Sequence, residues 1–298
     1  MNESATRCGY VAIIGRPNVG KSTLLNHLLG QKISITSRKP QTTRHSVLGI
    51  RTEAASQCVF VDTPGLHKNF TTSAVNRYMN RTARSVIDDV DLVLFVVDRN
   101  QWGEEEQWIA QMLANSEVPV LLVINKIDLL KDRQTLLPFI QDLQNKYSFA
   151  SYLPVASLHG EYLNELQQEV VARMPEGPFH FPEDQLTDKS ERFLVSELIR
   201  EKLVRQLGKE LPYETAVEIE QFKSGDKLLD IAATIYVERA GQKAIIIGKQ
   251  GSRLRSIGSQ ARADMEAMFE TKVMLRLWVK VKQGWSNDER ALKSLGFD

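Results

Sequence analysis

Eight residues, Gly15 to Ser22, constrain this chain more than any others. The stretch GRPNVGKS follows the apolar run Tyr10-Val-Ala-Ile-Ile14 and precedes Thr23-Leu-Leu-Asn-His-Leu-Leu29. A glycine-rich turn between an apolar strand and a helix is the setting that the phosphate-binding loop G-x-x-x-x-G-K-[ST] requires. Gly15 and Gly20 let Arg16, Pro17, Asn18 and Val19 curl so that backbone N–H groups point inward. The helix N-terminus beyond them, at Ser22 and Thr23, adds positive potential. Lys21 is expected to reach the β- and γ-phosphates, and the Ser22 hydroxyl to bind Mg²⁺. A strand before the motif and a helix after it argue against an accidental turn. The sequence therefore predicts a nucleoside triphosphate site.

At 298 residues the chain is long enough for two domains, each with its own core. Apolar and charged fractions of 42% and 25% are those of an ordinary globular protein. Cys8 and Cys58 are too few and too far apart for a disulfide framework or a zinc site. Met1–Arg7 is polar and too short for a secretion signal. The apolar stretch near Leu92–Val97 falls far below the roughly 20 residues that span a bilayer. A cytoplasmic protein is expected, with attachment to a membrane surface left open.

Lys32–Thr52 is polar, lacks a helical period and contains Pro40-Gln-Thr-Thr-Arg44. A loop this long in a compact domain is usually functional or mobile. One of its threonines is a natural second hydroxyl for Mg²⁺ when a γ-phosphate is present, and Thr42 and Thr43 are both candidates. Cys58-Val-Phe-Val61 has the pattern of a short buried strand and ends in Asp62-Thr63-Pro64-Gly65. An aspartate at a strand's carboxyl end faces the crevice where α/β folds bind ligands. Asp62 is expected to hold Mg²⁺ through water. The Gly65 N–H is expected to meet the γ-phosphate, and glycine lets that backbone flip when the phosphate leaves.

Residues 70–88 are polar and predict a helix. Asp91–Val97 and Val118–Ile124 are continuous apolar runs, the pattern of strands covered on both faces. Helical patterns follow near Glu104–Ala114 and Arg133–Lys146. The first half is thus expected to be α/β, a mostly parallel sheet with helices on both faces. Asn125-Lys126-Ile127-Asp128 follows the second run directly. The Asp128 carboxylate can accept from guanine's ring N–H and exocyclic amine together, whereas adenine would leave it buried and unpaired. Sites that demand such a bond reject analogues by about 10⁴–10⁵. Asn125 is expected to brace the phosphate loop, and Lys126 to lay its stem on the base.

GRPNVGKS, DTPG and NKID, in this order and spacing, resemble the translation-factor-like GTPases. In that class the loop after the last strand reads Ser-Ala-x, and a backbone N–H there meets the guanine oxygen. Here Ala156-Ser157-Leu158 stands instead, which preserves a backbone contact but leaves the serine's side chain without an assigned role. Leu66 occupies the position where Ras-like enzymes carry a water-orienting glutamine. Several bacterial GTPases with that replacement use an asparagine in the place of Asn18 to bind K⁺ beside the phosphates. For Asn18 this role and that of a turn-stabilising side chain carry equal weight. Lys21, Asn18 and Gly65 are the candidate catalytic residues.

Met174-Pro-Glu-Gly-Pro-Phe-His-Phe-Pro182 packs three prolines into nine residues, which fits an extended linker. The expected division is residues 1–174, a linker at 175–190, and a second domain from 191 to 298 that ends in a tail. In the second domain Glu191–Leu207 has the period of an amphipathic helix, while Thr215–Phe222 and Asp230–Arg239 alternate as strands. Gln242–Ile247 fits either a short helix or a strand. Ile247-Gly248-Lys249-Gln250-Gly251-Ser252 then leads into a longer helix, and Val273–Lys282 closes as a strand.

A Gly-x-x-Gly turn feeding a helix, in this element order, resembles an α+β KH domain of type II (α-β-β-α-α-β). Two glycines let the backbone approach a single RNA strand closely, while Lys249 and the helix N-terminus meet phosphates. Ile245, Ile246 and Leu254 are the candidate apolar surface for unstacked bases. Charge supports this reading. Arg239–Lys282 holds 10 Lys/Arg against 3 Asp/Glu, a balance of +7, whereas the first 190 residues sum to −2. Arg253, Arg255 and Arg262 lie along one helix, and Lys280 and Lys282 alternate on one strand. A basic cluster on a near-neutral chain is the electrostatic footprint of nucleic acid, and it would also attract an anionic membrane.

A GTPase domain followed by a KH domain that ends in Trp278–Trp285 and Asp288–Gly296 is similar to the Era-like family of bacterial GTPases. The resemblance implies a ribosome-assembly factor that binds the 3′ end of 16S ribosomal RNA and assists maturation of the 30S subunit. GTP or GDP would set the relative position of its domains. It also implies a monomer without DNA affinity that contacts the inner face of the cell membrane. The competing expectation is a membrane-associated signalling GTPase that uses the basic patch for lipid.

Overall fold

The computed structural model of the chain describes residues 6–37, 39, 42–66, 81, 83–208, 215–225 and 227–284. Pro40 and Gln41, most of the 70–88 stretch, Trp285 and residues 288–296 lie outside the described residues. Contacts divide the described chain into two units. The first takes residues 6–34, 43–66, 81 and 83–188, and the second takes 35–37, 39, 42 and everything from Lys189 on.

In the first unit the elements run β1 (Arg7–Ile14), α1 (Lys21–Leu29), β2 (Val47–Glu53), β3 (Ser56–Asp62), β4 (Leu92–Asp98), α2 (Glu104–Leu113), β5 (Val120–Asn125), α3 (Leu136–Gln144), β6 (Ser151–Pro154) and α4 (Leu163–Ala172). The sheet order is β2-β3-β1-β4-β5-β6, parallel except that β2 pairs antiparallel with β3. Every residue of β4 and β5 is buried, because successive side chains point to opposite, equally covered faces. Val11, Ile13, Leu94 and Val96 pack with Leu24 and Leu25 of α1 and Leu166 and Val170 of α4. On the other face Ala12, Ile14, Val93 and Phe95 pack with Ile109 and Leu113 of α2 and Leu143 of α3. The register sets Ile13 beside Asp62, Ile14 beside Phe95 and Asp98 beside Asn125, so the carboxyl ends of four strands share one rim.

Strand β2 was not legible in Lys32–Thr52, where the sequence predicts only loop. Its second half, Arg51-Thr52-Glu53, is polar, and its middle holds Gly49. A Cβ there would lie 2.6 Å from Leu29 Cδ1 and 2.7 Å from Leu25 Cδ1 of α1, so a side chain at this position would force those leucines to shift. The proline-rich stretch is extended as its composition requires, yet it is fastened along the first unit. Cys8 N donates to Pro175 O at 3.0 Å, and Ile50 N to Leu186 O at 2.8 Å. The fully buried Gln57 side chain accepts from the His180 and Phe181 amides at 2.9 and 3.0 Å.

The second unit runs α5 (Glu191–Gln206), β7 (Thr215–Ser224), β8 (Leu228–Val237), α6 (Ala240–Ile247), α7 (Ser252–Phe269) and β9 (Lys272–Val281). Ser190 caps α5 by accepting from Phe193 N, the usual service of a serine at a helix start. The sheet order is β7-β8-β9, with β7 antiparallel and β9 parallel to β8. Its core joins Val195, Leu198 and Ile199 of α5, Ile231, Ala233 and Ile235 of β8, Ile257, Ala261 and Met265 of α7, and Val273 and Val279 of β9. The segment that the sequence left between helix and strand is the helix α6.

Candidate functional site: a phosphate loop, a base loop and a Gly-x-x-Gly turn

The phosphate loop joins β1 to α1 through three residues with positive φ: Gly15 at 155°, Asn18 at 65° and Gly20 at 105°. At the two glycines neighbours leave no room for a side chain. A Cβ on Gly15 would meet Val96 O at 2.4 Å, and one on Gly20 would meet Asn125 Nδ2 at 2.3 Å. Lys21 is 6% exposed, and its ammonium donates to Gly15 O at 3.0 Å and Arg16 O at 3.1 Å. Burial pushes this lysine down to about 8, against a smaller upward pull from Asp62. Asn18 is exposed, and its side-chain amide makes no hydrogen bond among the described residues.

Ser22 Oγ lies 2.8 Å from Thr43 Oγ1 and donates to Asp62 Oδ2 at 2.7 Å. The other carboxylate oxygen, Asp62 Oδ1, is buried without a hydrogen-bond partner. Two hydroxyls and a carboxylate with one unused oxygen are a hard, all-oxygen donor set that fits Mg²⁺, completed by phosphate oxygens and water. Burial raises the Asp62 carboxyl, and its bond to Ser22 only partly offsets this. The two threonines separate here. Thr42 Oγ1 bonds Ser37 Oγ at 2.6 Å and donates to Lys39 O at 2.8 Å, so in this structure its hydroxyl is engaged away from Ser22, whereas that of Thr43 meets it.

Thr63 is buried and donates to Ile13 O at 2.8 Å. Gly65 approaches the phosphate loop so closely that a Cβ would sit 2.6 Å from Pro17 Cγ. Leu66 is fully buried among Ala12 and Ile14, and its amide donates to Gly15 O at 3.2 Å. An apolar side chain at this position anchors the turn in the core, where a glutamine would be unsatisfied.

On the base side, Asn125 ends β5 and binds in two directions. Its Nδ2 donates to Val19 O at 2.8 Å, and its Oδ1 accepts from Lys126 N, Ser157 N and Ser157 Oγ at 2.8, 3.0 and 2.8 Å. The serine in Ala156-Ser157 therefore has a side-chain role after all, which the sequence left unassigned. Asp128 lies 3.6 Å from His159 Nε2, with 15% of its side chain exposed. Lys126 Nζ donates to Asn18 O at 2.6 Å and to Asp98 Oδ2 at 2.7 Å. Asp98 is absent from the sequence expectations. The signal was there, since it ends a buried apolar run just as Asp62 does.

In the second unit Gly248, Gln250 and Gly251 take φ values of 72°, 53° and 75°, a tight left-handed turn that delivers the chain to the N-terminus of α7. Lys249, Gln250 and Ser252 are exposed beside it, as is Arg255 on α7. Arg253 Nη1 donates to Ile245 O at 2.6 Å and so ties α7 back to the last turn of α6. Three expectations change. Ile246 is fully buried in the core, leaving Ile247, half-buried Leu254 and exposed Ile245 as the apolar surface near the turn. Lys280 and Lys282 share the parity of β9 opposite to Val273 and Val279, so they face away from the helices. There Lys280 pairs with Glu220 at 3.0 Å, and Lys282 sits 5.5 Å above the Tyr236 ring. The strand's alternation was readable, but which side carries the helices was not.

Comparison with known proteins agrees with both units. Residues 10–126 match the family model described as 50S ribosome-binding GTPase, and residues 210–286 match that of the KH domain. The chain is 57% identical over 298 residues to the GTPase Era of Pseudomonas savastanoi pv. phaseolicola, covering 100% of this chain and 99% of that one. It is 58% identical over 295 residues to the GTPase Era of Azotobacter vinelandii, covering 99% and 98%. Among solved structures, Era in complex with MgGDPNP and nucleotides 1506–1542 of 16S ribosomal RNA aligns with a TM-score of 0.94 at 38% identity, over 98% of this chain and 99% of that one. A single-site variant of Aquifex aeolicus Era bound to GDP and AlF4⁻ aligns equally well, with the same TM-score of 0.94 and 38% identity.

Proposed function

This chain belongs to the Era family of GTPases, and from that premise we propose that it is a GTP-hydrolysing switch whose KH domain grips the 3′ end of 16S ribosomal RNA during maturation of the 30S subunit. The observation that carries the switch is the Ser22–Thr43–Asp62 cluster with its one unpartnered oxygen. Ser22 and Thr43 would hold Mg²⁺ directly and Asp62 through water. The ion, when bound, neutralises charge on the β- and γ-phosphates. Lys21 trades two carbonyl partners for phosphate oxygens. Gly65, already against Pro17, presents its amide to the γ-phosphate, and loss of that phosphate releases Thr43 and Gly65 together. On the base side the amides of Ala156 and Ser157 are taken by Glu161 O and Asn125 Oδ1. Leu158 N–H is thus the amide offered to the guanine oxygen, with Asp128 on the ring N–H and amine.

Asn18 is the proposed K⁺ ligand, because its exposed side chain is uncommitted and Leu66 supplies no polar group for water. Hydrolysis is then slow and faster in K⁺ than in Na⁺. Equal rates in the two salts, measured by phosphate release, would remove this role.

RNA and GTP bound to one switch must strengthen each other by the same factor. The test is titration of a short single-stranded RNA matching the 16S 3′ end, with GDP and with a non-hydrolysable GTP analogue. Tighter binding with the analogue is the expected result. Binding indifferent to nucleotide would overturn the switch. Binding to anionic vesicles in place of RNA would favour a membrane-associated signalling GTPase, although no described helix is long and apolar enough to cross a membrane.

A further inference from the structure

Just after β4 and β5, and in the phosphate loop that Lys126 touches, three non-glycine residues hold left-handed backbone: Arg99 (φ 51°), Lys126 (φ 61°) and Asn18 (φ 65°). A side chain disfavours this conformation, which persists only where the surroundings over-determine it. One carboxylate links the three. Asp98, the last residue of β4, stands opposite Asn125 in the sheet register. Its Oδ1 accepts from Arg99 Nε at 2.7 Å, and its Oδ2 accepts from Lys126 Nζ at 2.7 Å. The same ammonium donates to Asn18 O at 2.6 Å, and Arg99 N donates to Asn125 O at 2.8 Å. Asp98 is 7% exposed. Burial alone would push its carboxyl up, but hydrogen bonds from Lys126 and Arg99 outweigh this and hold it below the ordinary carboxylate range. A charge buried so far is kept only with its partners in place.

We infer that Asp98 is a positioning residue for nucleotide binding: it anchors the Lys126 ammonium, so that the lysine stem becomes a fixed shelf for the base. This rests on the reading that Asn125-Lys126-Ile127-Asp128 receives guanine. Without the carboxylate, the ammonium keeps one carbonyl partner and its flexible stem regains rotamers that do not support a base. Asp98 itself reaches neither base nor phosphate. Its loss therefore acts on binding, not on the chemical step.

The experiment is a double-mutant cycle on the full chain, read as the dissociation rate of a fluorescent GDP. Asp98→Asn should release GDP about 10-fold to 100-fold faster, the effect of losing one charge-assisted hydrogen bond. KM for GTP should rise while kcat at saturation stays put. Lys126→Met should release GDP at least as fast, and the double variant no faster than Lys126→Met alone. Multiplying effects, or an Asp98→Asn protein that behaves like wild type beside a fast Lys126→Met, would overturn the inference while leaving the base loop in place. An unaffected Lys126→Met would instead sink the base-loop reading itself. Should Asp98→Asn not fold, Asp98→Glu carries the same cycle, since it keeps the charge but moves it one methylene outward.

Discussion

Asparagine in place of Asp128 should cost GTP affinity about 10⁴-fold and open the site to xanthosine triphosphate. The carboxylate at this position is an acceptor only, which suits the two adjacent donors of guanine. Asparagine turns one of its oxygens into an NH₂ donor, which faces a guanine donor without a partner. Xanthine carries a carbonyl where guanine has its amine, so the same NH₂ finds an acceptor. The Asp128 side chain is only 15% exposed, so water cannot make good the lost bond. Asp128 belongs to a short 3₁₀ turn and not to the sheet, so the fold should survive the change. Equilibrium titration with fluorescent GTP and xanthosine triphosphate measures both affinities. Undiminished GTP binding would refute the assignment of this loop to the base.

Aspartate at Gly251 should lower RNA affinity by about 10²–10³-fold while GTP turnover measured without RNA persists. A unit charge about 4 Å from a phosphate is unfavourable by about 4 kcal/mol at an effective dielectric near 20, and salt screens part of that. Gly251 is a better probe than Gly248 because the two glycines differ sterically. A Cβ on Gly251 meets nothing within 4 Å, although its φ of 75° is left-handed. Aspartate and asparagine tolerate that conformation better than other side chains. A Cβ on Gly248 would lie 2.9 Å from Arg253 Cβ and 3.1 Å from its amide, so substitution there deforms the turn itself. Gly251→Asn supplies the control: same shape, no charge, and an expected loss below about 10-fold by the same Coulomb argument. Equal losses for the two variants would show that the turn works by shape alone and not by meeting phosphate.

The parts of the site legible in the sequence are those where a ligand atom dictates a residue type at a fixed place along a contiguous stretch. The phosphate loop, Asp62 to Gly65, and Asn125 to Asp128 are of this kind. What depends on how the chain is directed in space was not legible. Thr42 and Thr43 are chemically identical neighbours, and only the path of the backbone sends one hydroxyl to Ser22 and the other to Ser37. Lys280 and Ile246 show the same limit: periodicity groups residues by face but does not say which face the core takes. Strand β2 escaped because three of its seven residues are polar and its glycine packs against α1 and follows no strand pattern. The side-chain role of Ser157 escaped because its partner, Asn125, lies 32 positions away.

The unpartnered Asp62 oxygen ties the metal to the nucleotide. A buried acceptor without a bond is unfavourable by about 1–3 kcal/mol, and beside it Lys21 is drawn down to about 8 by its own burial. On the proposed reading, a nucleotide that arrives with its metal gives the carboxylate a cation and the ammonium an anion together. Metal and nucleotide would then raise each other's affinity by the same factor, so depleting free Mg²⁺ should weaken GTP binding as well as slow its hydrolysis.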